Sequence, residues 1–181
     1  HLTCRYVNYK LLLFEEKFFN MLLAPILLLL LSCLLSLGET APTSPLNYNV
    51  HLFYYPWYGA PNISKQWVHW NGGNRKPPED ITSNYYPVLG PYDSCDPNVL
   101  AKHMEWISQS GAGVIASSWW GKGGFEDKCI LKIMDAANKQ HVKVCFHIEP
   151  YGGRTAQSVV NNVNYVNEKY GSHPAYFRDP D

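Results

Sequence analysis

The chain has 181 residues, with 15 Lys+Arg balanced by 15 Asp+Glu, and is 46% hydrophobic and 17% charged. That length allows one domain, the apolar content excludes wholesale disorder, and zero net charge excludes a basic surface for nucleic acid or anionic membrane. The surplus is aromatic: 13 Tyr and 6 Trp supply either a core or rings that stack on flat ligands and sugar faces.

Residues 1–38 read as a hydrophobic leader. Met21 to Leu37 is almost uninterrupted aliphatic sequence, at the lower length limit for spanning a bilayer and slightly long for a signal core. Ser36 and Gly38 have the small-residue spacing of a cleavage site, so a signal peptide starting at Met21 is expected, with a short membrane anchor as the second reading. Residues 1–20, which begin at His1, read as upstream translation or a gene-model artefact. Either reading sends the remaining chain into the secretory lumen or outside. Cys95, Cys129 and Cys145 follow the leader, enough for one disulfide at most. Asn62-Ile63-Ser64 is an N-glycosylation sequon, expected on a lumenal loop.

After a linker at 39–49, strands and helices alternate over 50–181. Val50 to Tyr55, Gly113 to Trp120 and Lys143 to Glu149 read as strands. Asp96 before Pro97 caps a helix with an apolar stripe of Leu100, Met104 and Ile107. Asp127 is expected to open the next helix, with Ile130, Ile133, Met134 and Ala137 on one face. Thr155 opens a third, striped by Val159, Val163, Val166 and Tyr170.

This order implies parallel strands with crossover helices, in an open sheet or a (β/α)8 TIM barrel. No Gly-rich phosphate loop follows Tyr55. Instead the Pro56 to Cys95 connection is long and aromatic, as in a barrel whose loops build the site. The expected fold class is α/β, a partial barrel of the first three or so βα units. Such a piece leaves the third strand's edge and the inner faces open.

Alternation along the third strand sends Val144, Phe146 and Ile148 one way, toward helices, and Cys145, His147 and Glu149 the other. Spread over roughly 13 Å, that second row cannot converge on one metal ion, and zinc spacings are absent, so no metal or cofactor is expected. Glu149 ends the row at the C-terminal lip and reads as a ligand-facing carboxylate, against a structural pairing with Arg154. Parity puts Tyr55 inward on the first strand and groups Ile115, Ser117 and Trp119 on the second. Aromatic clusters at Tyr54 to Gly59, Trp67 to Asn71 and Ser118 to Gly121, beside His and Glu, suit a carbohydrate cleft.

FYYPWYG (Phe53 to Gly59), His69-Trp70-Asn71, DITSNYYPVLGPY (Asp80 to Tyr92), GVIASSWW (Gly113 to Trp120), FHIEPYGGR (Phe146 to Arg154) and YGSHPAYFR (Tyr170 to Arg178) together resemble the endo-α-1,2-mannosidases of glycoside hydrolase family 99. The resemblance implies a (β/α)8 barrel of the Golgi or secretory lumen that cuts glucosylated high-mannose N-glycans internally and with retention. It implies attack by the sugar's own 2-hydroxyl, one carboxylate removing that proton and a second acting as acid, then base. It also implies substrate contacts at Tyr55, Trp70, Trp119, His147, Glu149 and Tyr151, with Trp119 against the −2 sugar. The catalytic pair is expected beyond Asp181. The piece in hand is expected to be inactive by itself; a non-catalytic, lectin-like glycan binder or an inactive truncated product is the alternative, and a retaining glycosidase of another specificity a third.

Overall fold

The computed structural model describes residues 45–179. The expected leader at 1–38, with its apolar run at 21–37, lies outside the described residues. Among those described, no helix is long and apolar enough to cross a membrane.

Strand β1 (Asn47–Tyr54), helix α1 (Pro61–Ser64), α2 (Pro97–Gln109), β2 (Ala112–Trp119), α3 (Ile130–Lys139), β3 (Lys143–Ile148) and α4 (Ala156–Tyr170) follow one another along the chain. The three strands form one parallel sheet in the order β1-β2-β3. Strand β1 starts at Asn47, three residues before the expected Val50, because Asn47 N–H donates to Gly111 O at 2.8 Å. Gly113 permits this approach: a side-chain carbon there would meet Asn47 O at 2.7 Å.

The helix starts follow capping chemistry. Asp96 accepts from Asn98 N–H ahead of Pro97, and Thr155 forms a reciprocal capping box with Ser158. Asp127 departs from expectation. It sits in a one-turn 3-10 helix (Glu126–Lys128), and α3 starts only after Cys129.

Helices cover one side of the sheet. Ile115 and Trp119 of β2 and Val144 of β3 pack there with Leu100 and Met104 of α2, Ile133 and Met134 of α3, and Val166 and Tyr170 of α4. Each such buried apolar side chain contributes about 1.5–3 kcal/mol. The other side of the sheet is bare: Phe53 is 65% exposed and Tyr55 44%. The outer edge of β3 is less open than expected. Val144 N–H donates to Ala175 O at 2.7 Å and Phe177 N–H to Val144 O at 2.9 Å, an isolated parallel bridge between Val144 and Tyr176.

Cys95 and Cys129 form a disulfide with Cα atoms 5.3 Å apart, tying the start of α2 to the start of α3. Cys145 is a free thiol, pushed up in pKa by burial.

Candidate functional site

Strand register decides which side chains share the bare face. Ser118 pairs with His147, and Trp119 with Ile148. Ser118 therefore stands beside the Cys145, His147 and Glu149 row, while Trp119 stands with Val144, Phe146 and Ile148 on the helix side. Glu149 reaches the lip, its backbone N–H donating to Trp119 O at 3.0 Å.

Glu149 is 7% exposed. Its Oε1 accepts from Ser118 Oγ at 2.6 Å, and Ser118 Oγ in turn accepts from Trp57 Nε1 at 2.8 Å. His147 Nδ1 lies 3.5 Å from the same Glu149 oxygen and makes no hydrogen bond. The His147 ring packs 5.1 Å from Phe53, and Phe53 stacks on Tyr55 at 6.3 Å. Trp57 is the hub, within 4.8 Å of Tyr55, 5.5 Å of His69 and 6.5 Å of Trp120 between ring centres. This wall of rings around one carboxylate suits the apolar face and the hydroxyls of a sugar.

Glu126 adds a second buried acid. Burial raises its carboxyl pKa; its own backbone N–H and the nearby His69 oppose the rise, and the charge of Glu149 adds to it. Among the described residues no group of three or more His, Cys, Asp or Glu side chains is arranged to hold a metal ion. Of the described cavities, one lies in the α2–α3 groove and one beside β3, between Phe146, Val166 and Tyr176.

Three expected contact residues sit differently. Trp119 is fully buried on the helix side, its ring stacked on Tyr165 of α4 at 5.9 Å and its Nε1 donating to Asp127 Oδ1 at 2.9 Å. It does not share a face with Glu149. The tryptophan that reaches the Trp57 wall is Trp120, 43% exposed, which the sequence places in the Ser118 to Gly121 aromatic cluster but not among the expected contact residues. Trp70 is 2% exposed, stacked on Tyr58 at 4.0 Å with Nε1 donating to Tyr92 O at 2.7 Å. It is the core of the long loop, not its ligand face. Tyr151 turns its hydroxyl to α4, donating to Ser158 Oγ at 2.9 Å and accepting from Asn162 Nδ2 at 2.8 Å. Tyr55, His147 and Glu149 do share the bare face. Asn62 is exposed on α1.

The long loop is rigidified by Asp93, which is 1% exposed. Its carboxylate accepts from the N–H groups of Ala60, Ser64 and Cys95 at 2.8, 3.1 and 2.8 Å. Asp127 does the same behind Trp119, accepting from Tyr170 OH at 2.6 Å, Gly123 N at 2.9 Å and Tyr165 OH at 2.8 Å. Burial pushes the Asp127 carboxyl up, but the donors from Tyr170, Gly123, Trp119 and Tyr165 outweigh it and bring the pKa to about 2. Gly123, at φ +76, supplies the left-handed turn that aims its N–H at that carboxylate.

Comparison with known proteins agrees with the α/β fold. The family described as Glycosyl hydrolase family 99 matches residues 45–180. A glycoprotein endo-alpha-1,2-mannosidase of Xenopus laevis is 42% identical over 156 residues, 74% of this chain and 35% of that protein. A glycoprotein endo-alpha-1,2-mannosidase-like protein of Danio rerio is 38% identical over 163 residues, 78% of this chain and 37% of that protein. The solved structure of a GH99 endo-alpha-mannosidase from Bacteroides thetaiotaomicron superposes with a TM-score of 0.68 at 38% identity, covering 75% of this chain and 40% of that one. The chain thus spans little more than a third of the length of the curated relatives, and the βα units described above match the family's barrel.

Proposed function

Because the chain belongs to glycosyl hydrolase family 99, we propose that residues 45–179 are the opening βα units of an endo-α-1,2-mannosidase that cuts glucosylated high-mannose N-glycans internally, with retention, and releases a glucosyl-mannose oligosaccharide. The observation that carries this reading is the carboxylate of Glu149. It is nearly buried at the C-terminal lip of the sheet, with Oε1 held by Ser118, and Oε2 accepts no hydrogen bond from a described residue. A nearly buried carboxylate with one oxygen fixed and one unclaimed is suited to accept a sugar hydroxyl, and its neighbours Trp57, Tyr55 and Trp120 supply ring faces.

In this reading the described residues bind and orient the glycan, and the bond-breaking carboxylate pair belongs to βα units that follow residue 181. One of that pair takes the proton of the sugar 2-hydroxyl as its oxygen attacks the anomeric carbon. The other protonates the leaving oxygen and then activates water. The protein acts in the Golgi or secretory lumen, where the Cys95–Cys129 disulfide is stable, held there or released according to the fate of residues 21–37.

The test is hydrolysis by the chain extended through the remaining barrel units. A glucosylated high-mannose N-glycan is the substrate, and proton NMR follows the anomeric configuration of the released sugar. Appearance of the α-anomer of a glucosyl-mannose product first supports the proposal. First release of the β-anomer, or binding of the glycan without turnover, overturns it, the second outcome favouring a lectin-like protein.

A further inference from the structure

The long loop presents Asn62 to solvent on α1, followed by Ile63 and Ser64, and no other Asn-x-Ser/Thr tripeptide occurs in the 181 residues. This is the tripeptide that lumenal N-glycosylation requires, provided the middle residue is not proline. The turn that carries it is held from below. Buried Asp93 accepts from Ala60 N–H and Ser64 N–H, and Gly59 bridges to Val68 through two backbone hydrogen bonds of 3.1 and 3.0 Å. Asn62 itself reaches sideways, its Nδ2 donating to Asp96 Oδ2 at 3.3 Å, while Asp96 Oδ1 caps α2.

A second, independent observation concerns the compartment. The Cys95–Cys129 disulfide lies next to Asp96 in the chain, and such bonds form and persist in oxidising surroundings. In a cell with a secretory pathway, the lumen that oxidises those thiols also contains the transferase that reads the tripeptide.

We propose that Asn62 carries an N-linked glycan. The donor is a lipid-linked oligosaccharyl pyrophosphate. The bond from sugar C1 to the pyrophosphate oxygen breaks, its electron pair leaving with the pyrophosphate. A bond from C1 to Asn62 Nδ2 forms, and the carboxamide gives up one of its two N–H protons. The remaining N–H is still able to donate to Asp96 Oδ2, so the modification is compatible with the hydrogen bond seen here and with the cap of α2. Because the same loop carries Trp57 and His69, the glycan is tethered to the segment that walls the Glu149 face. The inference stands apart from glycan hydrolysis, since no step involves Glu149 or the barrel units that follow.

The experiment expresses the full 181-residue chain in cells with a secretory pathway. Gel mobility is read before and after peptide-N-glycosidase, and the Cys95–Cys129 bond is read by mobility without reductant. The expected result is an oxidised chain that gains mobility on digestion, with the shift abolished in Asn62→Gln and Ser64→Ala and retained in Ser64→Thr. An oxidised wild-type chain that digestion leaves unchanged overturns the proposal, as does a chain found reduced and unglycosylated. A shift that persists in Asn62→Gln overturns it too, because the sugar then sits elsewhere.

Discussion

Ser118 Oγ lies 2.6 Å from Glu149 Oε1 and donates its proton to it, while Trp57 Nε1 donates to the same hydroxyl oxygen from 2.8 Å. A single hydroxyl thus links two strands and the long loop at the carboxylate expected to meet ligand. Removing it leaves a desolvated acceptor and a donor unpaired. Ser118→Ala is expected to lower stability by about 1–3 kcal/mol, measured from urea unfolding midpoints. Ser118→Thr, which keeps the hydroxyl, is expected to recover most of the loss.

The two adjacent tryptophans separate packing from ligand contact. Trp119 is fully buried against Tyr165 and Phe146, so Trp119→Ala is expected to cost about 3–5 kcal/mol in unfolding free energy. Trp120 is 43% exposed, and Trp120→Ala is expected to leave unfolding within about 1 kcal/mol of the parent while weakening mannose-oligosaccharide binding, measured by calorimetry.

The disulfide closes a stretch of 34 residues between Cys95 and Cys129. Loop-closure entropy for that length makes it worth about 3–4 kcal/mol. The Cys95→Ser/Cys129→Ser double variant is expected to unfold at correspondingly lower urea concentration. Adding reductant is expected to shift the parent chain and not the variant.

Acid is expected to loosen the α2–β1 contact. Burial lowers the His103 imidazole below its ordinary 6.5; facing it are the Tyr54 hydroxyl, 3.0 Å from Nδ1, and the rings of Tyr92 and Trp106. The unfolded chain binds the proton more readily, so this contribution to stability is whole above pH 6.5 and is lost as pH falls through the lower folded value. His103→Gln is expected to flatten the slope of unfolding free energy against pH over that window. Asp127, held at about 2 against an ordinary 3.8, loses its contribution only below that upper value, and Asp127→Asn is expected to remove this more acidic slope.

Much of the architecture was legible locally. The caps at Asp96 and Thr155 use side chains within three residues, and the Cys145, His147 and Glu149 row follows from alternation alone. What was not legible depends on distant partners. The side of the sheet that Trp119 takes is set by its pairing with Ile148, and Asp127 turns inward because Trp119, Tyr165 and Tyr170 converge on it, although as a sequence it reads as a helix cap. Trp70 read as a ligand ring, yet a loop of that length needs a core of its own, which Trp70 builds with Tyr58 and Tyr92. Three cysteines also leave three possible pairs, and only the fold selects Cys95 with Cys129.

The central claim is that glycan meets the face carrying Glu149, Ser118 and Trp57 and not the face carrying Trp119. It is tested most directly by the indole N–H signals of Trp57 and Trp119 in a proton–nitrogen NMR titration with an α-1,2-linked mannose oligosaccharide. Trp57, hydrogen-bonded to Ser118 beside Glu149, is expected to shift with saturation while Trp119, hydrogen-bonded to Asp127 under α4, stays in place. A saturable shift of Trp119 with Trp57 unmoved would contradict the account.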